Sequence, residues 1–268
     1  MNVLEVKQLH VWDAHRGNTI VHRSSFQVKE GSCLAIVGES GSGKSVTCRA
    51  VMKLNPSSLH QSGEVFFKGE SLSSLSEKEM RKKRGRHIGM IVQNGMSAFD
   101  PSCVVGVHLH ETLAEHFQWS RHERDERLKE AMKRVMLNDP VSVMNKYPHQ
   151  LSGGMLQRIM IALTLVLEPD LVIADEPTTA LDTVSQFEVV EQFRKLREEV
   201  GCAILFVSHD LGIVKKLADE VLVMKDGHIV EQGPTSSVFS QPTHDYTNYL
   251  VSTRLALSDH FTKIMGRE

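Results

Sequence analysis

Residues 33–45 read CLAIVGESGSGKS, and this stretch decides the fold. CLAIV is a short, wholly apolar run closed by a glycine, which predicts a buried strand rather than an amphipathic helix. Gly38 to Ser45 then fits the pattern G-x-x-x-x-G-K-S, and the residues after it predict a helix. In that setting Gly38, Gly41 and Gly43 let the backbone curl around a phosphate, and Glu39, Ser40 and Ser42 contribute loop amides. Lys44 brings the positive charge for the β- and γ-oxygens, and the Ser45 hydroxyl suits Mg²⁺. A glycine-rich turn with an incidental lysine is the alternative, and the strand ahead of the loop argues against it.

Outward from this stretch the pattern is α/β. Towards the N-terminus, LEVKQLHVW, SSFQV, GEVFFKGESL and IGMIVQ predict short strands separated by turns. From Pro101 to about Leu167 the period becomes helical. In ERDERLKEAMKRVML, the residues Leu128, Ala131, Met132, Val135 and Met136 form one apolar stripe, predicting a helical insertion. Strands return in DLVIADEP, CAILFVS and EVLVMKDGHIVEQG, with helices predicted over VSQFEVVEQFRKLREEV and LGIVKKLA. Strands alternating with helices predict a largely parallel sheet. Residues 1–241 thus read as one nucleotide-binding domain with an insertion near 101–167, and residues 242–268 as a short appendage.

Composition narrows the function classes. With 41% hydrophobic and 24% charged residues the 268-residue chain can bury a full core. A formal charge of −2 offers no basic footprint for nucleic acid. Cys33, Cys48, Cys103 and Cys202 form no C-x-x-C pair, which points to a reducing, cytoplasmic setting. No apolar run approaches the roughly 20 residues needed to span a bilayer.

Three further strand ends carry candidate chemistry. Asp175 and Glu176 close LVIADEP, where ligands of open parallel sheets bind. Two adjacent carboxylates can divide the work there, Asp175 holding Mg²⁺ and Glu176 polarising the attacking water. His209 closes FVSH and can reach a γ-phosphate, and Gln93 closes IGMIVQ. Elsewhere, Ser152, Gly153 and Gly154 precede an apolar-periodic run in YPHQLSGGMLQRIMIAL. That predicts a helix N-terminus presenting backbone N–H groups to an anion, yet the stretch contains no lysine.

Taken in order, GESGSGKS, IVQ, LSGGMLQR, LVIADEP, TTALD and FVSHD resemble the Walker A, Q-loop, signature, Walker B, D-loop and H-loop of the ATP-binding cassette (ABC) ATPases. The resemblance implies a P-loop NTPase with a RecA-like parallel-sheet core, an N-terminal antiparallel β subdomain and a helical insertion. It also implies ATP and Mg²⁺ as cofactors, Mg²⁺ on Ser45, Gln93 and Asp175, and catalysis by Glu176 with His209 and Gln93. It supplies the missing lysine as well. Two cassettes lie head to tail, so that Ser152 to Gly154 meet a γ-phosphate bound by the other subunit, and Asp182 lies across the dimer contact. Gln93 reports nucleotide state to the insertion.

Within the family, Met155 after Ser-Gly-Gly and the segment VFSQPTHDYTNYLV resemble the importers of peptides, nickel and related solutes. GMLQRIMIAL, IADEPTTALD, DGHIVEQG and LVSTRLAL are most similar there to the first ATPase subunit of nickel importers. That resemblance implies a membrane-peripheral motor on the cytoplasmic face. Its partners would be a second, related ATPase, two transmembrane permeases and an extracytoplasmic solute-binding protein, with no nucleic acid. Import of nickel or a metal chelate is the expected role, peptide import the alternative, and a soluble non-transport cassette the remaining one. Trp12 is either the aromatic that stacks on adenine or a packed sheet residue. His108, His110, His116 and His122 invite a nickel-binding reading, against the simpler one of a solvated or permease-facing helix.

Overall fold

A computed structural model describes residues 1–179 and 181–253, the side chain of Thr183 excepted. The chain divides into two compact units, one formed by Met1–Ser76 with the segment from Ala203 onward, the other by Glu77–Cys202.

In the first unit, β1 (Asn2–Asp13), β2 (Thr19–Lys29), β4 (Leu59–Phe67) and β5 (Glu70–Ser71) make an antiparallel sheet in the order β2-β1-β4-β5. After Val3, the buried residues of β1 run Leu4, Val6, then Leu9, Val11, a one-residue break in the alternation. A register shift between Val6 and Leu9, with Gln8 at φ 51°, absorbs the extra residue and returns the apolar side chains to the core face. Beside it, β3 (Cys33–Val37) pairs in parallel with β8 (Ala203–Val207) and β9 (Glu220–Lys225). Both β3 and β8 are buried at every position, as their unbroken apolar runs require. Strand β10 (His228–Pro234) returns antiparallel to β9 through a tight turn at Asp226 and Gly227, φ 48° and 78°, a left-handed pair suited to Asp-Gly. Helices α1 (Lys44–Val51), α8 (Leu211–Leu217) and α9 (Thr235–Ser240) complete the unit. Residues 245–253 are helical, with Tyr246, Thr247 and Leu250 buried. Residues 254–268, including the end of LVSTRLAL and most of the expected appendage, lie outside the described residues.

The second unit pairs β6 (Ile88–Ile91) in parallel with β7 (Leu171–Asp175) and carries α2 (Glu77–Lys83), α3 (Val105–His116), α4 (Arg121–Arg134), α5 (Pro140–Met144), α6 (Gly153–Leu167) and α7 (Thr183–Val200). The apolar stripe on α4 is shorter than its spacing predicts. Leu128, Ala131, Met132 and Val135 are buried, but Met136 is 49% exposed at φ 62°. The helix ends first, because the Leu137 N–H bonds the Met132 carbonyl and the Met136 N–H the Lys133 carbonyl. That pair is a Schellman closure with Met136 in the position glycine usually takes. Among the described residues no helix is long and apolar enough to cross a membrane.

Candidate nucleotide site

The phosphate loop leaves the end of β3 and enters α1. Gly38 adopts φ 154°, and a Cβ there would lie 2.2 Å from the Met224 carbonyl oxygen; Gly43 adopts φ 98°, and its Cβ would approach the Ile20 carbonyl oxygen at 2.9 Å. Side chains are excluded at both positions by backbone that cannot move aside, so the glycines of this motif follow from packing as well as from phosphate approach. Glu39, Ser40 and Gly41 face solvent, whereas Ser42, Gly43 and Lys44 are buried. Lys44 is only 5% exposed, and its ammonium donates to the carbonyls of Gly38 (3.0 Å) and Glu39 (2.7 Å). A desolvated ammonium held among carbonyl dipoles is a strong site for polyphosphate. Gly43 stands at the N-cap of helix α1 and makes no side-chain cap hydrogen bond. Ser45 stands second in that helix.

Asp175 ends β7 and is 1% exposed; Glu176 follows at φ 48°, a left-handed conformation costly for a non-glycine residue. The Glu176 side chain is held by two donors. Its Oε2 accepts hydrogen bonds from Gln93 Nε2 (2.8 Å) and from the Thr179 hydroxyl (3.1 Å). Two predicted residues 83 positions apart are thus joined by one bond. Two neutral donors fix the direction of this carboxylate, the positioning that a general base requires. Since Gln93 donates through its nitrogen, its amide oxygen is the atom it can offer a cation. The Asp175 carboxylate and Gln93 amide of the second unit are hard oxygen donors, the chemistry that suits Mg²⁺, and so, in the first unit, is the Ser45 hydroxyl.

Ser152 caps α6, its hydroxyl accepting from the Met155 N–H at 3.2 Å, and both Ser152 and Gly153 are exposed. One turn on, Gln157 is buried and donates to the Val92 carbonyl at 3.3 Å, tying the same helix to the segment that carries Gln93. Gly95 lies against this helix too, a Cβ there being 2.9 Å from Leu156 Cβ. Asp182 caps α7 through the Ser185 N–H (3.0 Å) and hydroxyl (2.6 Å), which hold its carboxyl below the ordinary value, with help from the nearby Arg158 guanidinium. The preceding Ala180 lies outside the described residues.

Trp12 is half-buried on β1, stacked on His10 at 5.1 Å and tilted towards His60 at 5.9 Å. His209 is exposed, two residues beyond the end of β8. Three of the four histidines that invited a nickel reading, His108, His110 and His116, go separate ways. His108 reaches the Asp100 carbonyl at 3.2 Å, His110 pairs with Asp125 at 2.9 Å, and burial lowers the pKa of His116. Among the described residues no three His, Cys, Asp or Glu side chains converge as a metal site.

Sequence reasoning gave no part to Gln157, Thr179 or Tyr246. Gln157 lies in the quoted signature stretch, where its burial inside an apolar helix face was the available signal. Thr179 bonds a residue only three positions before it, inside the quoted IADEPTTALD, whereas Tyr246 acts through a contact across 207 residues that no spacing encodes.

A strand–loop–helix phosphate cradle and an acid pair at a parallel strand end define a P-loop nucleoside triphosphatase. The model of the ABC transporter family matches residues 21–179. The metal-staphylopine import system ATP-binding protein CntD of Staphylococcus aureus is 46% identical over 99% of this chain and 98% of its own length. The oligopeptide transport ATP-binding protein OppD of Bacillus subtilis is 43% identical over 91% of this chain and 70% of its own. Among solved structures, a dimeric post-hydrolysis state of the ATP-binding cassette MJ0796 bound to ADP and Pi is similar with a TM-score of 0.78 and 27% identity, covering 87% of this chain and 98% of that one. This chain belongs to the ABC transporter family: it binds ATP, and its hydrolysis of ATP is coupled to transport.

Proposed function

We propose that the chain is the ATP-hydrolysing motor of an importer for a metal carried by a small organic chelator, nickel being one candidate metal. The similarity to a metal-staphylopine import protein, nearly end to end on both chains, carries this reading. Peptide import is the second reading, supported by the 43% identity to an oligopeptide transport protein. In our account Gly38 to Ser45 hold the nucleotide's phosphates, and Trp12 offers its ring to adenine. Glu176 is the general base, oriented by Gln93 and Thr179, and His209 contacts the γ-phosphate. Ser45, Asp175 and Gln93 hold Mg²⁺, which would neutralise phosphate charge. Ser152, Gly153 and Gly154 contact ATP bound by a second cassette, with Asp182 at the contact between the two. The dimeric cassette of 27% identity supports that pairing. We favour a second, different ATPase as partner, with two permeases and an extracytoplasmic solute-binding protein, at the cytoplasmic face of the membrane. The helical insertion near 101–167 would meet the permeases.

The test is uptake. Cells lacking this chain should lose accumulation of chelated metal, measured by elemental mass spectrometry with and without added chelator, and regain it with the wild-type chain but not with Glu176→Gln. Normal metal accumulation together with lost growth on peptides would replace the metal reading by the peptide one.

A further inference from the structure

The segment PTHDYT, residues 242–247, enters the nucleotide reading with no task of its own, yet its tyrosine touches the phosphate loop. The Tyr246 hydroxyl accepts a hydrogen bond from the Glu39 N–H at 2.9 Å, across 207 residues of sequence, and Tyr246 is 7% exposed. Glu39 is the residue whose carbonyl receives both the Lys44 ammonium (2.7 Å) and the Ser42 N–H (3.2 Å). The N–H of Glu39 is therefore fixed by the tail while its carbonyl seats the lysine. The loop's other shoulder is tied elsewhere, the Gly227 N–H donating to the Ser42 carbonyl at 3.1 Å. The tyrosine thus adds a brace, beside that of the turn between β9 and β10, to a loop whose glycines favour many conformations.

The tail is itself anchored. The Glu231 carboxylate on β10 accepts from the Thr243 N–H and hydroxyl, each at 2.9 Å, and from the His244 N–H at 3.1 Å. The Tyr246 N–H donates to His244 Nδ1 at 3.1 Å, and the Lys225 ammonium lies 5.1 Å from the centre of the tyrosine ring. A chain of contacts thus runs from Glu231 through His244 and Tyr246 to Glu39.

We infer that Tyr246 is a positioning residue for nucleotide binding, a latch by which the C-terminal segment holds the phosphate loop in its ligand-accepting shape. The inference rests on the loop being the ATP site. Preorganisation of this kind acts on affinity rather than on the chemical step. Removing the hydroxyl leaves a part-buried N–H without its acceptor, and the loop relaxes to satisfy it.

The test is ATP titration of the full-length chain by calorimetry, with ATPase kinetics of the assembled transporter. Tyr246→Phe should weaken ATP binding about three- to tenfold, a range set by the loss of one hydrogen bond, and raise KM with kcat near wild type. Glu231→Gln, which loosens the anchor and spares the tyrosine, should shift affinity in the same direction and by less. Tyr249→Phe, an exposed neighbour on the same helix at 56%, should change nothing. Lys44→Ala separates the two layers of the claim: if it binds ATP normally, the loop is not the ATP site. If Lys44→Ala weakens binding while Tyr246→Phe and Glu231→Gln bind as wild type, the latch is wrong. A fall in kcat with unchanged KM in Tyr246→Phe would overturn it equally, and should Tyr246→Phe not fold, Glu231→Gln decides.

Discussion

Two serine-glycine stretches at helix N-termini, residues 38–45 and 152–154, look alike in sequence and differ in what they contain. The first is closed: a buried lysine, two glycines pressed against backbone, and a helix start that no side chain caps. The second is open: an exposed turn capped by its own serine, with no lysine in its stretch. Cap and cation decide the difference. In our proposal the helix end beside the buried ammonium holds the chain's own polyphosphate, whereas the capped turn adds donors to a phosphate held by a second cassette.

The sharpest contrast should appear when chemistry and binding are removed in turn. Glu176→Gln keeps the size and hydrogen-bonding capacity of the side chain and deletes the base, so turnover by the assembled transporter should fall about 10²–10⁴-fold with ATP affinity retained. Wild-type turnover would remove Glu176 from the role. Lys44→Ala deletes charge-assisted bonds of about 1.5–3 kcal/mol each, so ATP affinity should drop roughly 10- to 100-fold in a titration of the full-length chain. An unchanged affinity would erase the distinction between the closed loop and the open turn. Ser152→Ala should be milder on folding, costing about 1 kcal/mol through the lost cap, read as a lowered denaturation midpoint with ATP affinity intact.

The smallest effect concerns pH. Burial pushes the Glu231 carboxyl up, but the nearby Thr247 hydroxyl and the hydrogen bonds from Thr243 and His244 outweigh it and hold the group below its ordinary value. A carboxyl lowered by folding stabilises the fold above its unfolded value of 4.5 and loses that contribution as pH falls through the folded value. Acid below about pH 4.5 should therefore loosen the tail, and Glu231→Gln should flatten that part of the stability profile measured by thermal denaturation.

The closed loop was legible because its chemistry is local: strand, glycines, lysine and helix follow one another without a gap. The strand ends at Gln93, Asp175, Glu176 and His209 were legible for a related reason, since each closes a short apolar run. The bond between Gln93 and Glu176 and the Tyr246 contact with Glu39 were not, because pairings across 83 and 207 residues leave no periodic trace. Met136 failed for a different reason. Helical spacing places it on the buried stripe of α4, but a Schellman closure ends the helix first and turns the side chain to solvent. Spacing shows which face a residue would occupy if the helix continued, and the backbone bonds of the terminus decide whether it does.

The most direct test of the open turn is Gly154→Asp, followed in parallel by ATP titration of the full-length chain and by ATP turnover in the assembled transporter. A carboxylate at that turn would repel the γ-phosphate presented by the second cassette and leave the chain's own phosphate loop untouched. The account predicts near wild-type ATP affinity with turnover and transport abolished. Loss of ATP binding by the folded chain itself would contradict it, because the turn would then belong to the chain's own nucleotide.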